Sequence, residues 1–312
     1  MKRRAKRNAS EHILKSQEID DLRGQIDFLN HRISNLEYSA LLLDKNVITN
    51  FEIIIELIRP KKVTEESLIR IGNPGDGGYV LSDQILKSPK GKKIISIGVG
   101  DEFSFETFFL KNGFEVLGID GSVENPLNTE RNFLFRQRFV GGEFRTNSKS
   151  KQDSLFVTYE DVVRDSGWEF AVDLVKIDAE GHEYEILESS IANISKATQI
   201  IIEFHGIELI LDRKFMQKII EILSKLRETH SPIHLHGNNA GRAIRFAHGD
   251  FPTIFELTLL KQEMCESDDS LITLPGILDF PNVPIRSDID LSPFISTQIN
   301  SSKVLRTICD WL

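Results

Sequence analysis

Short apolar runs alternate with helix-length stretches along most of this chain, and each run ends in glycine or charged residues. Lys93–Gly98 (Lys-Ile-Ile-Ser-Ile-Gly), Phe114–Asp120, Asp173–Asp178 and Gln199–His205 read as buried strands. Ile233–His236 and Thr253–Leu260 read as later ones, and Ser104–Lys111, Glu183–Ser189 and Arg213–Arg227 as helices. Strand–helix alternation of this kind predicts an α/β fold built on a doubly wound, mainly parallel, Rossmann-like sheet. Such sheets bind ligands beyond the carboxyl ends of their strands. The residues that close each strand are therefore the ones to inspect.

The first strand closes in Gly98-Val99-Gly100-Asp101, a turn that lets backbone approach a ligand closely. The full dinucleotide fingerprint would need glycine at position 103, which is Phe103, and this argues against a nicotinamide oxidoreductase. The second strand closes in Asp120, placed to accept hydrogen bonds from ribose hydroxyls. Together the two ends predict a nucleoside-containing cofactor rather than a steric turn with a capping carboxylate. Lys176-Ile-Asp-Ala-Glu-Gly-His-Glu183 places Asp178 and Glu180 two residues apart, on one side of an extended segment, and Glu203 and His205 repeat that spacing. The alternative for Glu180 is a cap on the helix that follows. Asp178, Glu180 and His205 are metal-ligand types, but their spacing is no known metal signature, so no metal is expected. Two turn-rich clusters remain. Arg70–Val80 contains Pro-Gly and Asp-Gly pairs, and His234-Leu-His236-Gly-Asn238-Asn239 offers donors and acceptors to a polar substrate or to its own turn.

Residues 19–57 have a different period. Ile19, Ile26, Ile33, Ala40, Val47 and Ile54 recur every seven residues, as do Leu22, Leu29, Leu36, Leu43 and Leu57, with Asn50 interrupting. β-Branched residues at a and leucine at d predict a long coiled-coil helix forming a parallel homodimer, ending near Arg59 before Pro60; the alternative is an amphipathic helix lying on the body. The expected division is therefore 1–59, a basic tip and coiled coil, and 60–312, the α/β domain. A net charge of −9 argues against nucleic-acid partners, despite five Lys/Arg in the first seven residues. No run approaches the ~18 apolar residues of a membrane span. Asn8–His12 replaces the apolar core a signal peptide would need, so a cytoplasmic location is expected. Cys265 and Cys309 are too few and too far apart for a disulfide framework or a cysteine zinc site.

In their order, the GxG turn, Asp120, Lys-Ile-Asp-Ala-Glu-Gly and Ile-Glu-Phe-His resemble the FkbM family of S-adenosylmethionine-dependent methyltransferases. Arg70–Val80, His234–Asn239 with Phe255–Thr258, and Leu278–Pro284 resemble a bacterial branch of that family, and the likeness covers about Leu68 to Phe294. One departure is Ser96, where many class I methyltransferases carry an acidic residue. The resemblance implies a class I methyltransferase sheet of seven strands, the last antiparallel, with S-adenosylmethionine as cofactor. It implies that Gly98, Gly100, Asp101, Glu106, Asp120 and Asp178 serve the cofactor and that Asp76, Tyr79, Asn238 and Asn239 meet the acceptor. The implied reaction is methylation of a hydroxyl on a sugar, glycan or related polyol. His205 is the first choice of base and His236 the second, with Glu180 orienting the acceptor or acting as base. A different outcome would be a methyltransferase-like scaffold that works mainly through its coiled coil.

Overall fold

Ile94, Ile95 and Ile97 put three β-branched side chains into five residues, a composition suited to a strand buried on both faces, and Gly98 ends it. The structure, a computed structural model, describes residues 44–61, 68–87, 92–142, 155–246, 249–265 and 273–295. Its central strands are β3 (Lys93–Ile97), β4 (Glu115–Ile119), β5 (Phe133–Arg136), β8 (Leu174–Ile177), β9 (Gln199–Phe204), β10 (His230–Gly237) and β13 (Phe255–Lys261). They form one seven-stranded sheet in the order β10-β13-β9-β8-β3-β4-β5. β13 is antiparallel to both its neighbours, and the pairs from β9 to β5 are parallel. This is the expected doubly wound sheet with its last strand reversed. Three two-stranded sheets, unforeseen in the sequence, accompany it: β1 (Leu68–Ile71) with β2 (Tyr79–Ser82), β6 (Phe139–Val140) with β7 (Phe156–Val157), and β11 (Ala243–Phe246) with β12 (Gly249–Pro252).

The helices include α1 (Lys45–Ile58), α2 (Ser104–Lys111), α3 (Tyr159–Asp165), α4 (Glu183–Ile194) and α5 (Arg213–Arg227). Thr158 and Asp212 cap α3 and α5, their side chains accepting backbone N–H groups of the first turn. The strands and helices read from sequence form within a few residues of their expected bounds. The largest differences are α4, which runs on to Ile194, and β10, which begins at His230.

Register and alternation decide what each face of the sheet carries. Ile94, Val116, Phe133, Leu174 and Ile201 pack into one cluster with Phe105 and Phe109 of α2 and with Ile71, Tyr79 and Leu81 of the β1–β2 hairpin. Two residues further along their strands, the same face turns polar. Ser96 lies beside Lys176, and Glu203, Glu256 and His236 stand directly opposite one another across β9, β13 and β10. The hairpin is fastened to this face through polar groups. Gln199 bonds both backbone groups of Ser82, and the Thr258 hydroxyl donates to the Val80 carbonyl.

The body of the chain takes in the last turns of α1, from Asn50. Phe51 stacks on Phe246 and meets Phe251 and Phe294 edge-on, and Ile54 and Leu57 are buried. These two members of the heptad seam are thus covered by the chain itself. The seam from Ile19 to Leu43 lies outside the described residues. No described helix is long and apolar enough to cross a membrane.

Candidate active site

Strand order reverses at β3, which has β4 on one side and β8 on the other, and a crevice opens where the connections diverge. A cavity of about 310 Å³ occupies this place. Gly98 forms its floor at φ 76°, and a Cβ there would overlap the carbonyl of Asp178. The Asp178 N–H donates to Ile97 O, so β3 and β8 are drawn together where only glycine fits.

Asp76, Tyr79, Gly98, Gly100, Asp101, Glu106, Asp120, Asp178 and Glu180 all line this cavity. Asp120 closes β4. Its Oδ2 accepts the Gly100 N–H at 2.9 Å, and Oδ1 accepts the Ser122 N–H and hydroxyl at 2.7 and 2.6 Å. Burial opposes its charge, but these donors outweigh burial and hold the carboxyl below its ordinary range. Asp120 is therefore an ionised acceptor. On the opposite wall, Ser96 donates to Glu106 Oε1 at 2.5 Å. Glu106 is 1% exposed, and its Oε2 has no hydrogen-bond partner among the described residues. Burial raises its pKa, with Lys176 and Ser96 acting against the shift.

Lys176 is a cation in an otherwise apolar strand, and it was missed in the sequence, where its place in β8 was the available signal. Its Nζ donates to Gly98 O at 2.5 Å and lies 3.4 Å from Asp178 Oδ2. Burial works against its charge, but Asp178, Glu106 and Glu203 raise its pKa overall. The Tyr79 phenol donates to Asp178 Oδ2 at 3.1 Å and lies 3.3 Å from Glu203 Oε2. Burial and the neighbouring carboxylates keep that phenol protonated. Donor atoms of Asp178, Glu203 and His205 lie within 4.8 Å of one another. Lys176 and Tyr79 already partner the Asp178 carboxylate, and Asn238 and Tyr79 reach Glu203, so the oxygens are engaged from within and we assign no metal to the cluster.

Glu180 lines the cavity, and His205 and Glu183 stand behind it without lining the cavity themselves. β8 ends at Ile177, and Glu180 adopts φ 51° with Gly181 at 98°, so Glu180 reaches the cavity from a left-handed turn rather than from the extended segment expected. Glu180 does not cap the next helix. No side chain caps it; Glu183, its first residue, instead turns back on the preceding turn, its Oε1 accepting the N–H groups of Ala179 and Gly181, each at 3.0 Å. His205 Nδ1 lies 3.0 Å from the same oxygen, and Nε2 lies 3.5 Å from Glu180 Oε2 and 3.8 Å from Glu203 Oε1. Burial disfavours a charged ring, but the hydrogen bond and charge of Glu183, with Glu203 and Asp178, raise its pKa to about 9. Glu203 is pushed up to about 8 by burial and by Asp178 and Glu256.

Three sequence-chosen residues stand elsewhere. His236 is 1% exposed, with Nε2 3.2 Å from Asp288 and Nδ1 3.4 Å from Glu256. Asn238 donates to Glu203 Oε1 at 2.7 Å and accepts the Ala240 N–H. Asn239 donates to the carbonyls of Val283, Arg286 and Ser287, and accepts the Val283 N–H at 2.7 Å. None of the three lines the cavity. Residues 273–295 fold back over β10 and β13 and take up His236 and Asn239, while Asn238 is held by Glu203. His234 pairs with Asp279, and Asn282 donates to Glu256, in the same contact.

Distant likenesses to solved structures accompany this geometry. A tRNA (m1A22) methyltransferase assigned in Streptococcus pneumoniae, in complex with S-adenosyl-L-methionine, is 10% identical over 60% of this chain and 74% of its own, with a TM-score of 0.31. The Pyrococcus abyssi tRNA (uracil-54, C5)-methyltransferase, in complex with S-adenosyl-L-homocysteine, is 15% identical over 62% of this chain and 44% of its own, with a TM-score of 0.28. No curated protein matches the chain. A family model does match it: residues 85–229, the span that carries Gly98, Asp120, Asp178 and His205, correspond to the methyltransferase FkbM domain.

Proposed function

We propose that this protein transfers a methyl group from S-adenosylmethionine to a hydroxyl of a sugar, glycan or related polyol. The methyltransferase part rests on the match of residues 85–229. The cofactor fits the residues present. Glu106 Oε2, buried without a partner in the cavity wall, is suited to an ammonium group. Asp120, ionised at the end of β4, is suited to ribose hydroxyls, and the Gly98–Gly100 turn lets backbone approach. When bound, S-adenosylmethionine supplies a methyl group already activated by a positive sulfur.

The chain itself has two tasks. One is alignment, which contributes up to ~7–11 kcal/mol in well-oriented reactions. The rigid wall of Gly98, Lys176, Asp178 and Tyr79 suits it. The other is removal of the acceptor's proton, a step for which a positioned base adds ~10²–10⁴-fold. We assign that step to His205, whose Nε2 lies beside cavity-lining Glu180, and give Glu180 the role of orienting the acceptor. His236 is the weaker choice, being enclosed between Glu256 and Asp288.

The test is incubation of the full chain with methyl-labelled S-adenosylmethionine and a panel of free sugars, nucleotide sugars and cell-envelope glycans. Label should enter a hydroxyl-bearing acceptor and be lost when that hydroxyl is replaced by hydrogen. Labelling of a nitrogen or carbon acceptor instead would overturn the substrate class. We also infer a homodimer through the heptads of residues 19–57. The seam would be supplied N-terminal to Asn50, since Ile54 and Leu57 serve the chain's own core. Sedimentation of the full chain should give twice the 35.5 kDa chain mass.

A further inference from the structure

We propose that Glu183 is a positioning residue for His205: its buried carboxylate fixes the imidazole with the proton on Nδ1, so that Nε2 is presented to the acceptor hydroxyl beside Glu180. The catalytic part of this proposal rests on the methyl-transfer reading above, and the pairing does not.

Three observations carry it. Glu183 is 0% exposed and opens α4, and its Oε1 is held by two backbone donors, Ala179 N and Gly181 N, on the turn that leaves β8. A carboxylate clamped in this way cannot swing off its partner. His205 Nδ1 lies 3.0 Å from that same oxygen. That oxygen already serves as acceptor for two N–H groups, so the His205 bond is donated by Nδ1–H, and the lone pair of the neutral ring lies on Nε2. Finally, the ring's own backbone is fixed. Tyr184, the next residue along α4, donates its phenol to the His205 carbonyl at 2.7 Å, and Gly206, at φ 72°, turns the chain away immediately afterwards. One turn of helix thus holds both ends of His205.

The charged surroundings act in one direction. Glu183 from α4, Glu180 from the turn, Asp178 from the end of β8 and Glu203 from the end of β9 all face the ring or its neighbours, while Lys176 and the Tyr79 phenol lie behind Asp178. Glu180 is 87% exposed at its side chain, where water screens its charge. Glu183 is fully enclosed and at hydrogen-bond distance, so it dominates.

Glu183→Gln is the informative variant. Its amide oxygen can still accept from Ala179 N and Gly181 N, so the turn is kept while the charge is lost. NMR titration of the full chain, without cofactor or acceptor and with the His205 signals assigned through His205→Gln, should find the wild-type ring protonated on Nδ1 in its neutral form. In Glu183→Gln its pKa should fall by about one unit or more. The acid limb of kcat/KM for methyl transfer should move down with it, while cofactor affinity stays within about twofold. An unchanged titration in Glu183→Gln would overturn the pairing. A shifted titration with an unmoved limb would overturn the catalytic role. If the variant does not fold, the wild-type tautomer decides, and a neutral ring protonated on Nε2 refutes the proposal. Absence of methyl transfer to any hydroxyl acceptor would sink the proposed function alone, because the titration tests the pairing without turnover.

Discussion

Ser96, on β3, donates its hydroxyl to Glu106, on α2, at 2.5 Å, and the second oxygen of that carboxylate is left buried at the cavity wall. The position at which many class I methyltransferases carry an acidic residue is therefore occupied by a serine that holds a carboxylate supplied ten residues later. Replacing Glu106 by Gln should weaken binding of S-adenosylmethionine and its demethylated product about ten- to hundredfold, the range of a lost charge-assisted hydrogen bond. Ser96→Ala should cost less, because it leaves the charge in place. Isothermal titration reads both. Equal affinity in wild type and Glu106→Gln would show that the cofactor's amino group is held elsewhere.

Gly98 is fixed by sterics. Alanine there needs a left-handed backbone and places Cβ against the Asp178 carbonyl, which is held by β8. The left-handed conformation alone costs about 1–2 kcal/mol, and the collision adds to it. Gly98→Ala should lower the unfolding midpoint clearly. Gly100→Ala meets only Glu102 N, at an ordinary 4.0 Å, and should show only the conformational part. Thermal unfolding of the two variants separates these cases, and a smaller effect at Gly98 than at Gly100 would contradict the packing described.

His236, buried on β10, should respond to substitution differently from His205 in its turnover. His205→Ala should lower kcat by ~10²–10⁴-fold and, because it unpairs buried Glu183 and Glu203, should also cost stability. His236→Ala should leave Glu256 and Asp288 facing each other unneutralised and cost about 3 kcal/mol or more in stability. Turnover per folded molecule should be largely retained. Comparing active-site-normalised rates with denaturant unfolding checks both. Wild-type turnover in His205→Ala would remove it from the role of base.

Stability should fall on both sides of neutrality, for opposite reasons. Burial depresses His230 from 6.5 to about 4, its Nε2 facing the Ala197 carbonyl. Its contribution is complete above pH 6.5 and is lost as pH falls toward 4, about 3 kcal/mol in all. His236 is the reverse case. Burial opposes its charge, but Asp288 and Glu256 outweigh burial and raise it to about 10. Its contribution is complete below pH 6.5 and drains away as pH rises toward 10. Unfolding free energies measured from pH 4 to pH 10 should fall toward both ends. His230→Gln should flatten the acid side, and His236→Gln should lower the plateau and flatten the alkaline side.

Asn239 is one of several side chains that hold the fold-back of residues 273–295. Asn239→Ala removes three donated hydrogen bonds and one accepted, and should cost ~2–3 kcal/mol. Hydrogen exchange should show faster opening at Val283, whose N–H loses its acceptor. Unchanged protection there would mean that the His234–Asp279 and Asn282–Glu256 contacts hold the segment by themselves.

Much of the site could be read from local pattern. Apolar runs of strand length, ended by glycine or aspartate, located Gly98, Gly100, Asp120 and Asp178, because a parallel strand buried on both faces has no other way to write its boundary. Glu106 was reached through the family's pattern, and its bond to Ser96 depends on how α2 lies over β3. The expectations for His236, Asn238 and Asn239 rested on a strand end open to a ligand. A segment about forty residues later covers that end, and no local pattern announces a contact across such a separation. Lys176 and Glu183 looked like an ordinary strand lysine and an ordinary helix-start glutamate until the packing buried them.

What the chain determined by itself was the alternation of strands and helices and the chemistry at each strand's close, since both follow from periodicity and from backbone limits acting over a few residues. What only the tertiary structure decided was which of those polar groups share a cavity and which are spent holding the chain to itself. A carboxylate or amide carries the same hydrogen-bonding capacity in either role, and its use is settled by what lies within about 3 Å of it once distant segments have met.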